Sequence, residues 1–203
     1  MAIPHSDPRD SGPTAVLVPL RSLNHGKARL KDALSVNSRN ELIEEMASNV
    51  VRSAHDLDVL VVHDDPGVAA WAHSRGATSL QPPISGLNNA VTAGRDHLRD
   101  LGYGRVVIAH ADLPFAKDLR VMCTGHDIVI APDRLRQGTN VLAVPTTLDF
   151  EFSYGEGSFA MHLATARSLN IEPHILESPD LAWDVDDPQD LLDEYVERTN
   201  TTN

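Results

Sequence analysis

Residues 106–114 read Val-Val-Ile-Ala-His-Ala-Asp-Leu-Pro, so that four apolar residues directly precede a polar segment containing Asp112. An apolar run of this length, rich in β-branched residues and without polar alternation, predicts a strand that is buried on both faces. Asp112 then falls at the carboxyl end of the strand, the edge at which parallel α/β sheets bind ligands. A carboxylate there is suited to hold Mg²⁺ against phosphates, and a cap on a following short helix is the alternative interpretation.

Similar apolar runs alternate with helical patterns along the rest of the chain. Further strands are predicted at residues 15–20, 59–62, 128–131, 141–144 and 173–176. Capping signals and helical spacing predict helices that begin near Ser38, Asp65, Gly86, Ser158 and Pro188. Strand–helix alternation with apolar strands indicates an α/β fold, in which helices cover both faces of a mainly parallel sheet. Functional residues are therefore expected in the loops that follow the strands.

The composition is typical of one globular domain. The chain has 203 residues, of which 41% are hydrophobic, and this suits a single core. Residues 1–13 are predicted to be a flexible tail before a domain at residues 14–200. No apolar run is long enough to span a bilayer, the start lacks a secretory pattern, and Cys123 is the only cysteine. We therefore expect a cytoplasmic protein that does not associate with membranes.

The charge balance bears on the ligands that the chain can bind. Its net charge is -12, from 29 acidic and 17 basic residues, and this argues against a nucleic-acid partner because a negative field repels phosphate backbones. A nucleoside triphosphate would need local compensation. The loop after the first strand provides four cations within eleven residues: Arg21, Lys27, Arg29 and Lys31. A solvated basic loop is the alternative interpretation. The sequence has no Walker motif, which excludes a P-loop.

Three further loops contain groups that suit a nucleotide or an oxyanion. At residues 82–90, Gly86 allows close backbone approach to a ligand and Asn88 offers an amide for a base or ribose, although Ser85 or Asn88 could instead cap a helix. At residues 138–140, Thr139 offers a hydroxyl for a small oxyanion, unless this segment is an ordinary turn. At residues 152–159, a glycine-bearing loop leads into a helix at Ser158, where amides and a hydroxyl favour an anion or simply a cap.

An acidic segment near the end of the chain completes the candidate site. Asp184 and Asp186 are two residues apart, so both carboxylates lie on one side of an extended segment. Together with Asp112 they predict an oxygen-ligand site for Mg²⁺, whereas Asp187 before Pro188 is expected to cap the last helix. Five histidines show no metal-ligand spacing and are given no role: His25, His63, His73, His110 and His162.

The order of these motifs resembles the 2-phospho-L-lactate or phosphoenolpyruvate guanylyltransferases of coenzyme F-420 biosynthesis. The matching segments cover nearly the whole chain after the tail: 14–30, 85–88, 111–114, 132–134, 138–140, 154–159 and 184–186. The resemblance implies a single-domain, three-layer fold of the glycosyltransferase-A type, found also in the nucleotide-diphospho-sugar transferases. It also implies Mg²⁺-dependent attack by a substrate phosphate on the α-phosphorus of GTP, with release of pyrophosphate.

The resemblance also implies a role for each matching residue. Asp112 would bind the metal with Asp184 or Asp186, while Lys27 and Arg29 would neutralise the triphosphate. The phospho-acid would lie at Thr139, Gly155 and Ser158, and the nucleotide near Gly86, Leu87 and Asn88. Arg21 would also face the nucleotide, but many relatives carry a lysine there, and a planar guanidinium binds phosphate differently from an ammonium.

Several alternatives remain open at this stage. The acceptor is phosphoenolpyruvate, 2-phospho-L-lactate or 3-phosphoglycerate, acids whose small differences one contact can discriminate. Other nucleotidyltransferases of this fold use a molybdopterin or sugar-phosphate acceptor, and a non-catalytic nucleotide-binding sensor is a third reading. The oligomeric state is not fixed, with a homodimer common among such folds.

Overall fold

The computed structural model describes residues 12–24 and 26–191, and within these ranges the chain forms one seven-stranded sheet and four α-helices. The strands are β1 Thr14–Pro19, β2 Asp58–Val62, β3 Thr78–Leu80, β4 Arg105–Ala109, β5 Val129–Pro132, β6 Thr139–Pro145 and β7 His174–Ile175. The α-helices are α1 Val36–Arg52, α2 Pro66–Ser74, α3 Leu87–Asp100 and α4 Ser158–Ser168. Short 3-10 helices cover Ala28–Asp32, Leu119–Met122 and Pro188–Leu191.

The sheet has the strand order β3-β2-β1-β4-β6-β5-β7 and is mainly parallel, which confirms the predicted fold class. β6 alone among these strands runs antiparallel, and it pairs with both β4 and β5. The reversal places the start of β6 beside the end of β4, with Ala109 opposite Val141. The sequence does not predict this direction, because an apolar run has the same composition whichever way the strand runs.

Apolar layers cover both faces of the sheet, as the non-alternating strands predict. Val16 and Val18 of β1 pack on one face with Val50 of α1, while Leu17 packs on the other face with Leu98 of α3. Every residue of β4 is buried. The core therefore extends on both sides of the sheet, and the polar residues that follow β1 and β4 are left at its edge.

One helix start differs in detail from the sequence prediction. The N-cap of α1 is Ser35, three residues before the predicted cap Ser38, because Ser35 accepts a hydrogen bond from the Ser38 backbone N–H at 3.1 Å. α3 begins after Gly86, which has φ 111° and no side-chain cap, so Ser85 does not cap it. The predicted cap Asp65 does begin α2, accepting from Gly67 N–H at 2.8 Å. The strand β3 is missed by sequence because three residues give no clear pattern.

The chain termini extend beyond the described part of the structure. Most of the predicted tail at 1–13 lies outside the described residues, as does most of the predicted helix after Pro188. The last four described residues, Pro188–Leu191, form a 3-10 helix. The predicted bounds 1–13 and 14–200 therefore stay predictions. None of the described helices combines the length and the apolar character that crossing a membrane requires.

Close packing of α3 on the sheet gives a first testable prediction. A Cβ added at Gly94 would lie 2.3 Å from Leu17 Cδ1 and 2.9 Å from Val62 Cγ2, and both of those side chains are buried in the core. We expect Gly94→Ala to lower the free energy of unfolding by about 1–3 kcal/mol, because overpacking outweighs the gain in helix propensity of about 1 kcal/mol. Chemical denaturation measures the change.

Gly125→Ala is the matched control, since an added Cβ there meets nothing within 4 Å. We expect an unfolding free energy close to that of the wild type. A Gly94→Ala protein as stable as this control would contradict the close approach of α3 to β1.

Candidate functional site

Two adjoining cavities lie beyond the carboxyl ends of β1, β2 and β4. The smaller has a volume of about 260 Å³ and is lined by Lys27, His110 and Asp112 among others. The larger, of about 560 Å³, is lined by residues that include His63 and Gly86. Both cavities share four wall residues: Pro19, Leu20, Arg21 and Leu87. Three of the loops singled out by sequence, at residues 21–31, 82–90 and 109–114, therefore meet at one edge of the sheet, as the parallel arrangement predicts.

Lys27 lies at the centre of the smaller cavity's charged wall. Its Nζ atom is 2.5 Å from Asp112 Oδ2 and 2.7 Å from Asp186 Oδ1, and the side chain is only 13% exposed. Burial alone would lower the pKa of Lys27, but the two carboxylates raise it above its ordinary value. Lys27 is therefore charged at neutral pH and links loops that are 85 and 159 residues away in sequence.

Asp112 is held where the sequence predicts, directly after β4. Its backbone carbonyl accepts a hydrogen bond from Val185 N–H at 3.3 Å, which ties it to the acidic segment. Burial opposes ionisation, but the charge of Lys27 outweighs it and the pKa of Asp112 lies below its ordinary value. Among the described residues, no group donates a hydrogen bond to the buried Oδ1 atom. That oxygen is therefore an acceptor without a donor in the described part of the chain.

Asp184 lies close to the other two carboxylates. Burial, and then the charges of Asp112 and Asp186, raise the pKa of Asp184 to about 6. The Asn140 amide is 3.5 Å from its Oδ1 atom, and Asn140 also donates to the Leu181 carbonyl at 2.9 Å. The repulsion felt by Asp184 means that a cation entering this group would stabilise its ionised form.

A part-buried ion pair that the sequence does not single out supports the acidic segment. Asp190 is 3% exposed, and its Oδ2 atom accepts hydrogen bonds from the backbone N–H groups of Asp186 and Asp187 at 2.7 and 2.8 Å. Its other oxygen pairs with Arg134, whose guanidinium also donates to the Asp184 carbonyl at 3.3 Å. Arg134 belongs to a family motif in the sequence, but nothing in the pattern pairs it with a residue 56 positions later.

A ready-made metal cluster is not formed by the side chains alone. Within residues 12–24 and 26–191, no three His, Cys, Asp or Glu side chains are grouped so as to hold a metal ion. The Lys27 ammonium instead lies between Asp112 and Asp186. The metal site predicted at Asp112, Asp184 and Asp186 stays a prediction.

The basic residues of the first loop are not all brought to the site. Arg21 lines both cavities, with Nε 3.7 Å from Asp64 Oδ2 and a side chain that is 85% exposed. Arg29 and Lys31 lie on the exposed side of the 3-10 helix Ala28–Asp32, outside the lining of either cavity. Only Lys27 and Arg21 of the predicted basic cluster therefore face the cavities.

The predicted nucleotide loop borders the cavities through its first residues. Gly86 lines the larger cavity and Leu87 lines both. The Asn88 side chain instead contacts the backbone of Tyr154, accepting from its N–H at 2.7 Å and donating to its carbonyl at 3.3 Å. The amide of Asn88 thus joins the start of α3 to the loop before α4.

The three residues predicted to bind the phospho-acid lie around the start of α4. Thr139 and Ser158 are 1% and 3% exposed, and the Thr139 N–H donates to Ser158 Oγ at 3.0 Å. Gly155 is exposed, with φ 130°, and a Cβ added there would meet nothing within 4 Å. The structure therefore places the Ser158 hydroxyl beside the Thr139 backbone, with open space next to Gly155.

His162, to which the sequence assigns no role, fixes the Thr139 hydroxyl. Its Nε2 atom accepts from Ser153 N–H at 3.1 Å, and burial lowers the pKa of His162 to about 4. A neutral ring whose Nε2 accepts carries its proton on Nδ1, so Nδ1 donates to Thr139 Oγ1 at 3.0 Å. The hydroxyl proton of Thr139 is then directed to another acceptor.

Two aromatic rings, those of Tyr154 and His110, connect His162 with the smaller cavity. The ring of Tyr154 lies 4.8 Å from that of His162 and 5.0 Å from that of His110, measured between centroids. Burial lowers the pKa of His110, which lines the cavity, and raises that of Tyr154. Within the described ranges His110 Nε2 and Tyr154 Oη are buried without a hydrogen-bond partner. The site thus contains neutral polar groups beside its charged cluster.

Comparison with solved structures identifies the fold class. A protein of Desulfovibrio desulfuricans G20, provisionally named a nucleotide-diphospho-sugar transferase, superposes with a TM-score of 0.74 at 16% identity, covering 95% of this chain and 89% of that chain. A CMP:2-keto-3-deoxy-manno-octonic acid synthetase complexed with CTP superposes with a TM-score of 0.61 at 12% identity, covering 94% and 99%. The fold is therefore that of the nucleotide-diphospho-sugar transferases and cytidylyltransferases, as predicted.

The sequence comparisons narrow this class to one family. The family described as "Guanylyl transferase CofC like" matches residues 14–202, and the chain belongs to it. It is 36% identical to the phosphoenolpyruvate guanylyltransferase of Rubrobacter xylanophilus over 184 residues, covering 86% of this chain and 90% of the relative. It is 28% identical to the 2-phospho-L-lactate guanylyltransferase of Methanocaldococcus jannaschii over 192 residues, covering 92% and 84%. These matches confirm the family resemblance.

The carboxylate cluster gives a prediction about pH and stability. The folded-state pKa of Asp184, about 6, lies above the value of about 3.9 for an unfolded aspartate. Stability from this group is therefore full below pH ~4 and is lost as the pH rises through ~6. We expect Asp184→Asn to raise the free energy of unfolding of the ligand-free protein by about 1–3 kcal/mol at pH ~7.5.

The same variant at pH ~3 is its own control, because Asp184 is then largely protonated in both states and most of the gain should vanish. Urea denaturation at the two pH values measures the difference. An equal gain at both would mean that repulsion among the carboxylates is not its cause.

Proposed function

We propose that the chain transfers GMP from GTP to the phosphate of a small three-carbon acid and releases pyrophosphate, as in coenzyme F-420 biosynthesis. The observation that carries the proposal is the cluster of Lys27, Asp112 and Asp186 beside two cavities at the carboxyl edge of the sheet. The names of the relatives support the same reaction, with either phosphoenolpyruvate or 2-phospho-L-lactate as the acceptor. We include 3-phosphoglycerate among the acids to be tested.

The reaction makes few demands for acid–base groups. A phosphate oxygen of the acid attacks the α-phosphorus of GTP, and the bond to the bridging oxygen of the leaving pyrophosphate breaks. Because the nucleophile is already anionic, no general base is required, and catalysis rests on alignment and on compensation of negative charge. Lys27, which lines the smaller cavity, is placed to compensate the charge on the phosphates.

The nucleotide and the acid are assigned to different loops. The Gly86 backbone and Leu87 would border the nucleotide, and Arg21, which lines both cavities, would face its phosphates. The acid would lie at Gly155, with hydrogen bonds from Thr139 and Ser158. The contact of Asn140 with Asp184 links this acid site to the carboxylates. Arg29, expected from the family resemblance to neutralise the triphosphate, is exposed and is left without a role here.

The carboxylates fit a magnesium ion in their chemistry. Asp112, Asp184 and Asp186 offer oxygen atoms only, as Mg²⁺ prefers, and the buried Asp112 Oδ1 has no hydrogen-bond donor among the described residues. Asp112 would hold the ion with Asp184 or Asp186. When bound, Mg²⁺ supplies positive charge that stabilises phosphoryl-transfer chemistry.

A cytoplasmic location and a homodimer are part of the same proposal.

The direct test is pyrophosphate release from GTP and Mg²⁺ with each of the three phospho-acids offered separately. We expect release with one acid, no release without acid, and none when ATP replaces GTP. If folded protein that still binds GTP releases no pyrophosphate with any of the three acids, the proposed acceptor is overturned. Release with a molybdopterin or sugar-phosphate acceptor alone would reassign the enzyme within the same fold.

Asp112→Asn tests the charged cluster. We expect turnover to fall at least about 10²-fold, because the amide cannot provide the charge that the carboxylate provides to the site. The fold should be retained, since the amide has the same shape. Steady-state pyrophosphate release at saturating Mg²⁺, with circular dichroism as the check on folding, measures both.

Asp180→Asn is the matched control, because among the described residues this carboxylate pairs with Lys117, at 3.2 Å, in a surface position where ion pairs contribute little. Its turnover should equal that of the wild type. Near-normal turnover by Asp112→Asn would remove Asp112 from the proposed metal site.

A further inference from the structure

The loop before α4, residues 153–157, is fastened at two adjacent positions. On one side Asn88 binds the Tyr154 backbone through both polar atoms of its amide, at 2.7 and 3.3 Å. On the other side His162 accepts a hydrogen bond from the Ser153 N–H at 3.1 Å. The Tyr154 hydroxyl has no hydrogen-bond partner in the described part of the chain, so the backbone contacts, rather than this hydroxyl, fix the loop.

The Asn88 side chain lies away from the nucleotide cavity. Gly86 and Leu87 line the cavity of about 560 Å³, whereas Asn88 lines a separate groove of about 790 Å³ together with Phe152 and Tyr154. Both ends of its amide are already hydrogen bonded to Tyr154, so a nucleotide would have to displace two contacts to bind there. Asn88, which the family resemblance places near the nucleotide, therefore contacts the loop before α4 instead.

We propose that Asn88 is a positioning residue for the phospho-acid site and not a ligand of the nucleotide. The inference rests on the proposed function, which places the acid at Gly155 and Ser158. Asn88 holds the residue directly before Gly155, and the open space next to Gly155 is where a ligand has room. Because Asn88 is the second residue of α3, it also sets the distance between this loop and the loop that borders the nucleotide cavity.

The physical need for such a clamp follows from the loop itself. Gly155 and Gly157 have φ angles of 130° and 73°, which glycine adopts without strain, but glycine also gives the unfixed backbone many other conformations. Without the Asn88 contacts the loop would have to be ordered when the acid binds, and the acid's binding free energy would bear that entropy cost. The backbone around Gly86 and the Leu87 side chain would keep their places.

Steady-state kinetics of Asn88→Ala separate the two roles. We expect the KM for the phospho-acid to rise about tenfold or more, the effect of losing two hydrogen bonds, while the KM for GTP changes less than about twofold. Asn89→Ala is the matched control for the acid constant, because this exposed neighbour donates to the Ser85 carbonyl at 3.0 Å and not to the loop before α4; the KM for the phospho-acid should stay at its wild-type value. A rise in the GTP constant alone would make Asn88 a nucleotide ligand and overturn the proposal.

Hydrogen exchange at the Tyr154 amide tests the clamp without using activity. We expect this amide to be protected in the ligand-free wild type and to exchange at least about tenfold faster in Asn88→Ala. If that variant does not fold, Asn88→Ser is measured in the same way. Fast exchange in the wild type, or unchanged exchange in the folded variant, would overturn the proposal.

The two proposals fail in distinguishable ways. A wild-type protein that releases no pyrophosphate with any phospho-acid refutes the proposed function, and the acid-positioning role of Asn88 fails with it. An active wild type whose acid constant is unaffected by Asn88→Ala refutes only the role of Asn88.

Discussion

The Lys27 ammonium, held between Asp112 and Asp186, joins loops that come from three distant parts of the chain. Lys27 has φ 50°, a left-handed conformation that costs a residue with a side chain about 1–2 kcal/mol. Two short charge-assisted hydrogen bonds offset that cost. In a chain with net charge -12, the part-buried ammonium of Lys27 also limits the repulsion among the clustered carboxylates. The rest of the site is arranged around it.

The reversal of β6 determines what surrounds this cluster. Because β6 runs antiparallel to β4, its first residues, Thr139 and Asn140, lie at the same edge as Asp112. Asn140 then contacts Asp184, and Thr139 contacts Ser158 and His162. A parallel strand would have placed these residues at the opposite edge. Strand direction, rather than strand composition, thus brings the proposed acid site to the carboxylates.

The sequence was sufficient for features that depend on local patterns. Apolar runs located β1, β2, β4, β5 and β6, and the position of Asp112 after one of them located the site. Features that depend on contacts across the chain were missed or misplaced. The sequence predicts Asp190 to be part of an acidic helix, but the residue is buried and binds Arg134 and two backbone amides. The family resemblance implies that Arg29 binds phosphate beside Lys27, but Arg29 lies on the exposed side of the 3-10 helix Ala28–Asp32.

The placement of charge fits the proposed chemistry, in which two anions must approach each other. The cations Lys27 and Arg21 line the cavities assigned to the triphosphate, whose α-phosphorus must become electrophilic. The proposed acid site would instead present neutral donors, the Thr139 and Ser158 hydroxyls, and the buried His162 is uncharged because its pKa is about 4. Neutral donors orient a phosphate while leaving most of its negative charge in place. An anionic nucleophile is kept reactive by such a site, whereas a cation bonded directly to it would make it a weaker nucleophile.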